Sequence, residues 1–229
     1  MNVCFRTTTC QRVAVLFVLL WGIELASADT PPNTTGASDV ADPSPSPVNC
    51  LTQSFDNLIV PALPRRWTAE NAAGPPPLWV TSSNMPDAGP NAAFVDDPAT
   101  ISDKSLETPT MVSFSTSLYL YFRHSYALEP VGGGSDFFDG AVLEISVDGG
   151  AYVDITDPTV GGTFVTGGYN GRISTAFSSP IAGRMAWGQS SGDYIQTIAN
   201  IPNVSFSQFV RFRFHVLGYQ RERLWLARG

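Results

Sequence analysis

Two antiparallel β-sheets packed as a sandwich are what this sequence predicts, and three observations predict them. Segments such as "SLYLYFRHSY" and "FVRFRFHV" alternate apolar and polar residues with period two, the pattern of strands that bury one face. No helical period persists over a comparable length. The 229 residues also contain 20 Gly and 18 Pro, so the strands are short and joined by tight turns.

The alternation assigns faces. Leu118, Leu120, Phe122 and His124 fall on one side of the first segment, with Tyr119, Tyr121 and Arg123 on the other. In the second, Val210, Phe212, Phe214 and Val216 oppose Arg211, Arg213 and His215. The stretch "FDGAVLEISVDGGAYVDI" sets Ala141, Leu143, Ile145 and Val147 against Val142, Glu144, Ser146 and Asp148. There Asp148-Gly149-Gly150 turns the chain into a further strand, because glycine supplies the positive φ that a tight hairpin needs. Weaker strands are expected around Phe55, Trp79, Ala93, Phe164 and Ile195. Short strands with turn signals at this spacing point to an antiparallel sandwich.

The chain divides into four parts. Residues 1–28 have the form of a secretory signal peptide: Arg6 and Arg12, an apolar run from Val13 to Ile23, then Ala26-Ser27-Ala28. That run is shorter than the about 20 apolar residues a membrane span requires, so no span is expected. Cleavage after Ala28 removes Cys4 and Cys10 and leaves Cys50 alone with no internal disulfide, either an exposed thiol that pairs between chains or, the blander case, a buried inert one. Residues 29–49 form a Pro/Ser-rich linker, clearest in "DPSPSPVN". Residues 50–218 carry the sandwich, and 219–229 form an atypical tail. Asn33 and Asn203 open glycosylation sequons of low specificity. The expected product is secreted and monomeric.

Composition excludes some partners. Lys and Arg total 13 against 20 Asp and Glu, a net charge of −7, and there is no basic stripe to meet a phosphate backbone, so nucleic acid is set aside. Two histidines and no paired-cysteine motif leave no set of three zinc ligands. "GQSSG" matches Gly-x-Ser-x-Gly around Ser190, with Asp193 and His215 following in the order of an α/β-hydrolase. That elbow requires a helix after the serine, whereas Asp193 to Ile198 reads as a strand. "PVGGGSD" lacks the Lys-Ser/Thr ending of a phosphate loop. Asp136, Asp139, Glu144, Asp148, Asp154 and Asp157 crowd one stretch. A carboxylate pair or an oxygen-rich cation loop could be built from such residues. The alternation instead expects a solvated sheet face, without catalysis.

The order of the motifs resembles a recurrent extracellular jelly-roll module. "FDNLIVPALPRRW", "DAGPNAAFVDD" with "DKSLETP", "LYLYFRHSYALE", "FDGAVLEISVDGG", "GGYNGRIS", "GRMAWGQSSG" and "VRFRFHVLG" are similar, in that order, to segments of cleaved-adhesin or choice-of-anchor-J type domains. They also resemble the MAM-like domains of immune-inhibitor-A metallopeptidases. The resemblance covers residues 50 to 218 and implies a non-catalytic β-sandwich that accompanies secreted or surface proteins. It further implies a structural calcium ion, with Asp56 as the ligand that carries over and backbone oxygens near Gly89 as helpers. The resemblance also implies a closing strand with Gly-Trp and an Asp pair, where this chain reads "YQRERLWLARG". A one-base shift in codons compatible with Tyr219 to Arg228 yields such a Gly-Trp ending. The tail is therefore expected to be a frameshifted stand-in for a missing last strand.

Two classes of function follow. The first is a secreted, non-catalytic accessory or adhesion module that binds an extracellular glycan or protein, with Tyr169 and Trp187 as candidate contact aromatics or, equally, as core and inter-sheet packing residues. The second is a small secreted hydrolase using Ser190 or a carboxylate pair, or an accessory domain of a secreted metallopeptidase.

Overall fold

The computed structural model describes residues 51–132, 136–176 and 179–218, together with the backbone of residues 2–4. The linker, Cys50, the Asn33 sequon, the tail and most of the leader lie outside the described residues. No helix occurs among those described. None is therefore long and apolar enough to cross a membrane.

The strands are β1 (Asn2–Cys4), β2 (Thr68–Ala73), β3 (Val80–Ser82), β4 (Ala92–Phe94), β5 (Ser102–Glu107), β6 (Met111–Val112) and β7 (Leu118–Ser125). They continue with β8 (Asp136–Phe137), β9 (Gly140–Val147), β10 (Val153–Asp154), β11 (Thr163–Thr166) and β12 (Gly171–Ile173). The last are β13 (Met185–Ala186), β14 (Ile195–Ile201) and β15 (Phe209–Gly218). One sheet runs β11-β14-β7-β1-β4-β3, and a second runs β10-β9-β15-β5-β2 with β6 also on β15. A small third sheet has the order β13-β12-β8. All pairings are antiparallel except β12 with β8.

The core lies between the two large sheets and is built from the faces that the alternation assigned. Leu120, Phe122, Ala199 and Ile201 of the first sheet meet Leu143, Ile145, Phe212, Phe214 and Val216 of the second. Phe122 and Phe214 touch across the gap, edge to face, with ring centroids 5.1 Å apart. His124 continues the inward row of β7 and is fully buried, its Nε2 2.9 Å from Thr197 Oγ1. Burial drives its pKa down to about 3, so the ring is neutral. The third sheet covers a smaller apolar cluster of Phe137, Val142, Ile173, Ile181, Ala186 and Leu217. Val142 and Leu217 point away from the main core, so this sheet caps the outer side of the β9–β15 pair.

Local expectations meet different fates. Ala93, Phe164 and Ile195 lie in β4, β11 and β14, and Trp79 stands one residue before β3. The Asp148-Gly149 hairpin forms with φ of 51° and 74° and joins β9 to β10. Phe55 is not in a strand. It is left-handed, with φ of 67°, and opens a turn closed by Leu58 N donating to Phe55 O at 3.2 Å. Its ring is fully buried against Trp67 at 5.4 Å, so core packing overrides the extended preference of an aromatic residue.

The acidic face of β9 is also not as expected. Glu144 is 3% exposed. Arg184 and Arg213 each donate to it at 2.7 Å, and His215 Nδ1 lies 3.2 Å away. Arg184 bridges on to Asp154 at 2.7 Å, His215 Nε2 contacts Asp103 at 2.6 Å, and Arg211 pairs with Glu107. Four carboxylates and four cations, counting a protonated His215, thus share the outer side of the second sheet. A loop arginine from another element closed over Glu144, which no period-two rule can foresee. Burial pushes Glu144 up, but hydrogen bonds from His215 and Arg184 and the nearby positive charges outweigh it and hold the group at about 2. Burial likewise opposes the His215 charge, yet its bonds to Asp103 and Glu144 raise its pKa above the ordinary 6.5.

Two outcomes follow from this packing. Phe122→Ala and Phe212→Ala, at 1% and 3% exposure, should each destabilise the fold by about 3–5 kcal/mol in denaturant titration. Losses under about 1 kcal/mol would show that the faces are reversed. The ion network should have opposite pH limbs. The lowered Glu144 contributes stability that is full above its ordinary 4.5 and lost as pH falls toward about 2. The raised His215 contributes stability that is full below 6.5 and lost as pH rises through its folded value. Glu144→Gln should therefore cost stability at pH 6, on the order of 3 kcal/mol, and progressively less as melting is repeated down to pH 3. A deficit independent of pH would refute the assignment.

Candidate functional site

The residues singled out in the sequence distribute over three places. Asp56 sits in the turn that Phe55 opens. Asn91, buried at the start of β4, ties that turn down: its Nδ2 donates to Leu58 O at 3.1 Å and to the Phe55 and Asp56 carbonyls at 3.4 Å. The Asp56 carboxylate packs onto Gly89, where any Cβ would overlap it. The two residues linked by the family resemblance are thus brought together, and only glycine leaves room there. The described residues supply one carboxylate at this point, and no group of three His, Cys, Asp or Glu side chains gathers to hold a metal among them. Calcium takes six to eight oxygens, so these residues alone do not complete a site.

Ser190 lies on the rim of an open hollow of about 450 Å³, lined also by Asp97, Ala127, Leu128, Glu129 and Gln189. It pairs with Ala127 in an isolated bridge, and its Oγ accepts from Gly192 N at 3.1 Å. No helix follows, for β14 begins at Ile195. The left-handed residue is Gln189, with φ of 62°, not the serine of a strained elbow. Both ring nitrogens of His215 are engaged by Asp103 and Glu144, and His124 is bonded to Thr197. The serine, Asp193 and His215 therefore do not form a triad.

Carboxylates do gather at this hollow: Asp97 and Glu129 line it, and of the acidic group singled out in the sequence only Asp139 joins them. Asp139 is 4% exposed and its Oδ2 accepts from Glu129 N at 3.3 Å. Asp97 stands beside it at the rim. The packing around its carboxyl, and then the charge of Asp139, push Asp97 up to about 7. Asp97 and Glu129 were not singled out in the sequence, where they stand at the ends of "DAGPNAAFVDD" and "LYLYFRHSYALE" with no motif of their own.

The two aromatics proposed as contacts are core residues. Trp187 is fully buried, with its Nε1 donating to Gly167 O at 2.9 Å. Tyr169 packs edge to face on Trp187 at 4.8 Å, and its hydroxyl donates to Asp154 at 3.1 Å and accepts from Leu143 N at 2.9 Å. Inter-sheet packing claims both rings because each is large and carries a polar tip that finds a partner inside.

The exposed aromatic surface lies instead on the outer side of the first sheet. Tyr119 and Tyr121 of β7 stack at 6.2 Å, 27° from parallel, and Tyr119 is 54% exposed. Register sets Asn200 beside Tyr119, Ile198 beside Tyr121 and Gln196 beside Arg123. Beyond them β11 adds exposed Thr163 and Val165. Arg123 is fixed by two bonds to Asp87, at 2.6 and 3.1 Å, and one to Tyr194 O at 3.2 Å. The Asn200 side-chain oxygen is buried beneath this face and has no donor among the described residues. The alternation of "SLYLYFRHSY" had already put both tyrosines on the polar side, and that was the signal available.

Because Asp56 brings a single carboxylate to Gly89, millimolar calcium should raise the melting temperature of this chain little. A rise of several degrees that Asp56→Ala abolishes would show that further oxygens complete the site.

Comparison with family models, with curated proteins and with solved structures finds no match to this chain.

Proposed function

We propose that this chain is an exported, non-catalytic β-sandwich module that binds an extracellular glycan on the outer face of its first sheet. The observation that carries this reading is the stacked pair of exposed Tyr119 and half-buried Tyr121 on a strand face with amide neighbours. A sugar ring offers a C–H face to an aromatic ring and hydroxyls to side-chain amides. Tyr119 with the half-buried Tyr121 supplies the aromatic face, and exposed Gln196 on β14 supplies the amide. The resemblance to adhesin and MAM-like modules supports the same class, acting alone or beside a catalytic domain such as a secreted metallopeptidase.

One observation favours a second reading. Asp97, holding its proton up to about pH 7 beside Glu129 and Ser190 in an open hollow, has the chemistry of a general acid. A small hydrolase would act there.

A glycan array followed by titration separates the two. Tyr119→Ala and Tyr121→Ala should each weaken binding of the captured glycan about tenfold or more, about 1.4 kcal/mol. Tyr119→Ala should leave the melting temperature nearly unchanged. Equal affinity in both variants would overturn the glycan face. A hydrolytic rate removed by Asp97→Asn or Ser190→Ala would establish the second reading instead.

A further inference from the structure

The first sheet is joined at its middle by its shortest kind of strand. β4 and β7 do not bond each other, because β1 stands between them. On one side Asn2 pairs with Phe94 and Val3 with Ala93. On the other Asn2 pairs with Ser125, Val3 with His124 and Cys4 with Arg123. These three residues belong to the segment read as a leader that is cut after Ala28. Export would therefore empty the slot and leave two strand edges unpaired in mid-sheet, directly above the fully buried Ala93 and His124. Backbone groups so placed must find partners. The exported protein needs another strand here.

Direction, position and charge identify it. β1 runs antiparallel to both neighbours and starts at the end marked by Phe94 and Ser125. From that end β4 leads on to Asp97, and β7 to Glu129 and the acidic hollow. β15 terminates at the same place: a Cβ on Gly218 would lie 3.1 Å from Asp97 Oδ1 and 3.7 Å from Asp139 Oδ1. A chain leaving Gly218 can thus enter the slot from the correct end and run in the sense of β1. The residues that follow are "YQRERLWLARG", eleven in all and able to reach about 36 Å when extended. Arg221 and Arg223 come first in that segment, and the hollow is lined by Asp97 and Glu129, with Asp139 bonded to Glu129 N. Leu224 and Leu226 come next, two residues apart and so on one face of a strand. The slot needs an inward apolar position at the level of Ala93 and His124.

We propose that, once the leader is removed, residues 219–229 of the same chain occupy the slot between β4 and β7 as its closing strand, with the acidic hollow receiving Arg221 and Arg223. This rests on the export reading above. It assigns the hollow to an intramolecular cationic contact, and it makes the tail a working part of the fold.

The test uses the exported protein purified without modification. Intact mass first reports whether residues 1–28 are gone, and a retained leader overturns the export reading itself. On the cleaved product, hydrogen exchange should show the 219–229 amides protected about 100-fold or more over a free peptide, together with those of β4 and the end of β7. A cleaved product whose tail exchanges at the free-peptide rate overturns the slot proposal alone. In a Cys50→Ser background, Phe94→Cys combined in turn with Glu222→Cys, Leu224→Cys and Leu226→Cys should give a disulfide within one chain for at least one pair. Disulfides formed only between chains would show that a second copy supplies the strand, and would overturn the assignment to the same chain.

Discussion

Trp187 stands where all three sheets meet, and the rest of the sandwich is arranged around it. Its backbone exchanges two 2.9 Å hydrogen bonds with Ala141, which fastens it to β9 of the second sheet. Its ring lies against Phe122 and His124 of β7, Phe164 of β11 and Tyr169, at centroid distances of 4.6 to 5.8 Å. Immediately before it, Ala186 belongs to β13 of the small sheet. One side chain therefore fixes the spacing of both large sheets and the seat of the third. His124 must stay neutral for this to hold, since a charged imidazole inside an aromatic cluster would pay a large desolvation cost. The lowered pKa of that ring belongs to the same packing.

The two outer faces of the sandwich have different fates for electrostatic reasons. The chain has 13 basic residues against 20 acidic ones, and Arg184, Arg211 and Arg213 converge on the outer side of the second sheet. There they neutralise Glu107, Glu144 and Asp154, while Arg213 also lies 4.1 Å over the ring of Tyr152. The small sheet covers much of what remains. That side is closed. Among the described residues the outer face of the first sheet has no such cover, and its stacked tyrosines stand on long, regularly paired strands. A partly aromatic surface held by paired strands loses less freedom on binding than a loop does.

The same imbalance of charge links the hollow to the fold. Asp97, Glu129 and Asp139 come from three separate loops, yet β4, β7 and β15 all deliver chain to that corner. Like charges brought so close favour a shared proton or a cation. A basic tail leaving β15 offers the cation from within the molecule. On the proposal that the tail replaces β1, closing the sheet and neutralising the hollow would be one event.

What the sequence by itself determined is what depends on near neighbours. Side chains alternate along a strand, so "SLYLYFRHSY", "FVRFRFHV" and "AVLEISV" revealed that Phe122, Phe212 and Leu143 face inward and that Tyr119 and Tyr121 face out. Asp148-Gly149 announced its hairpin because a two-residue turn is a local steric matter. What only the tertiary structure decided depends on residues far apart in the chain. Glu144 is polar by alternation, and only the approach of Arg184 and Arg213 buries it. Tyr169 and Trp187 fitted surface contact and inter-sheet packing equally well in the sequence, and Phe55 entered a turn because its ring packs against Trp67. His215 finds Asp103 more than a hundred residues away, and β1 finds β4 and β7 far along the chain. A period-two pattern states which face of a strand is apolar. It carries no information about which strand lies alongside, because backbone hydrogen bonds are the same for every partner.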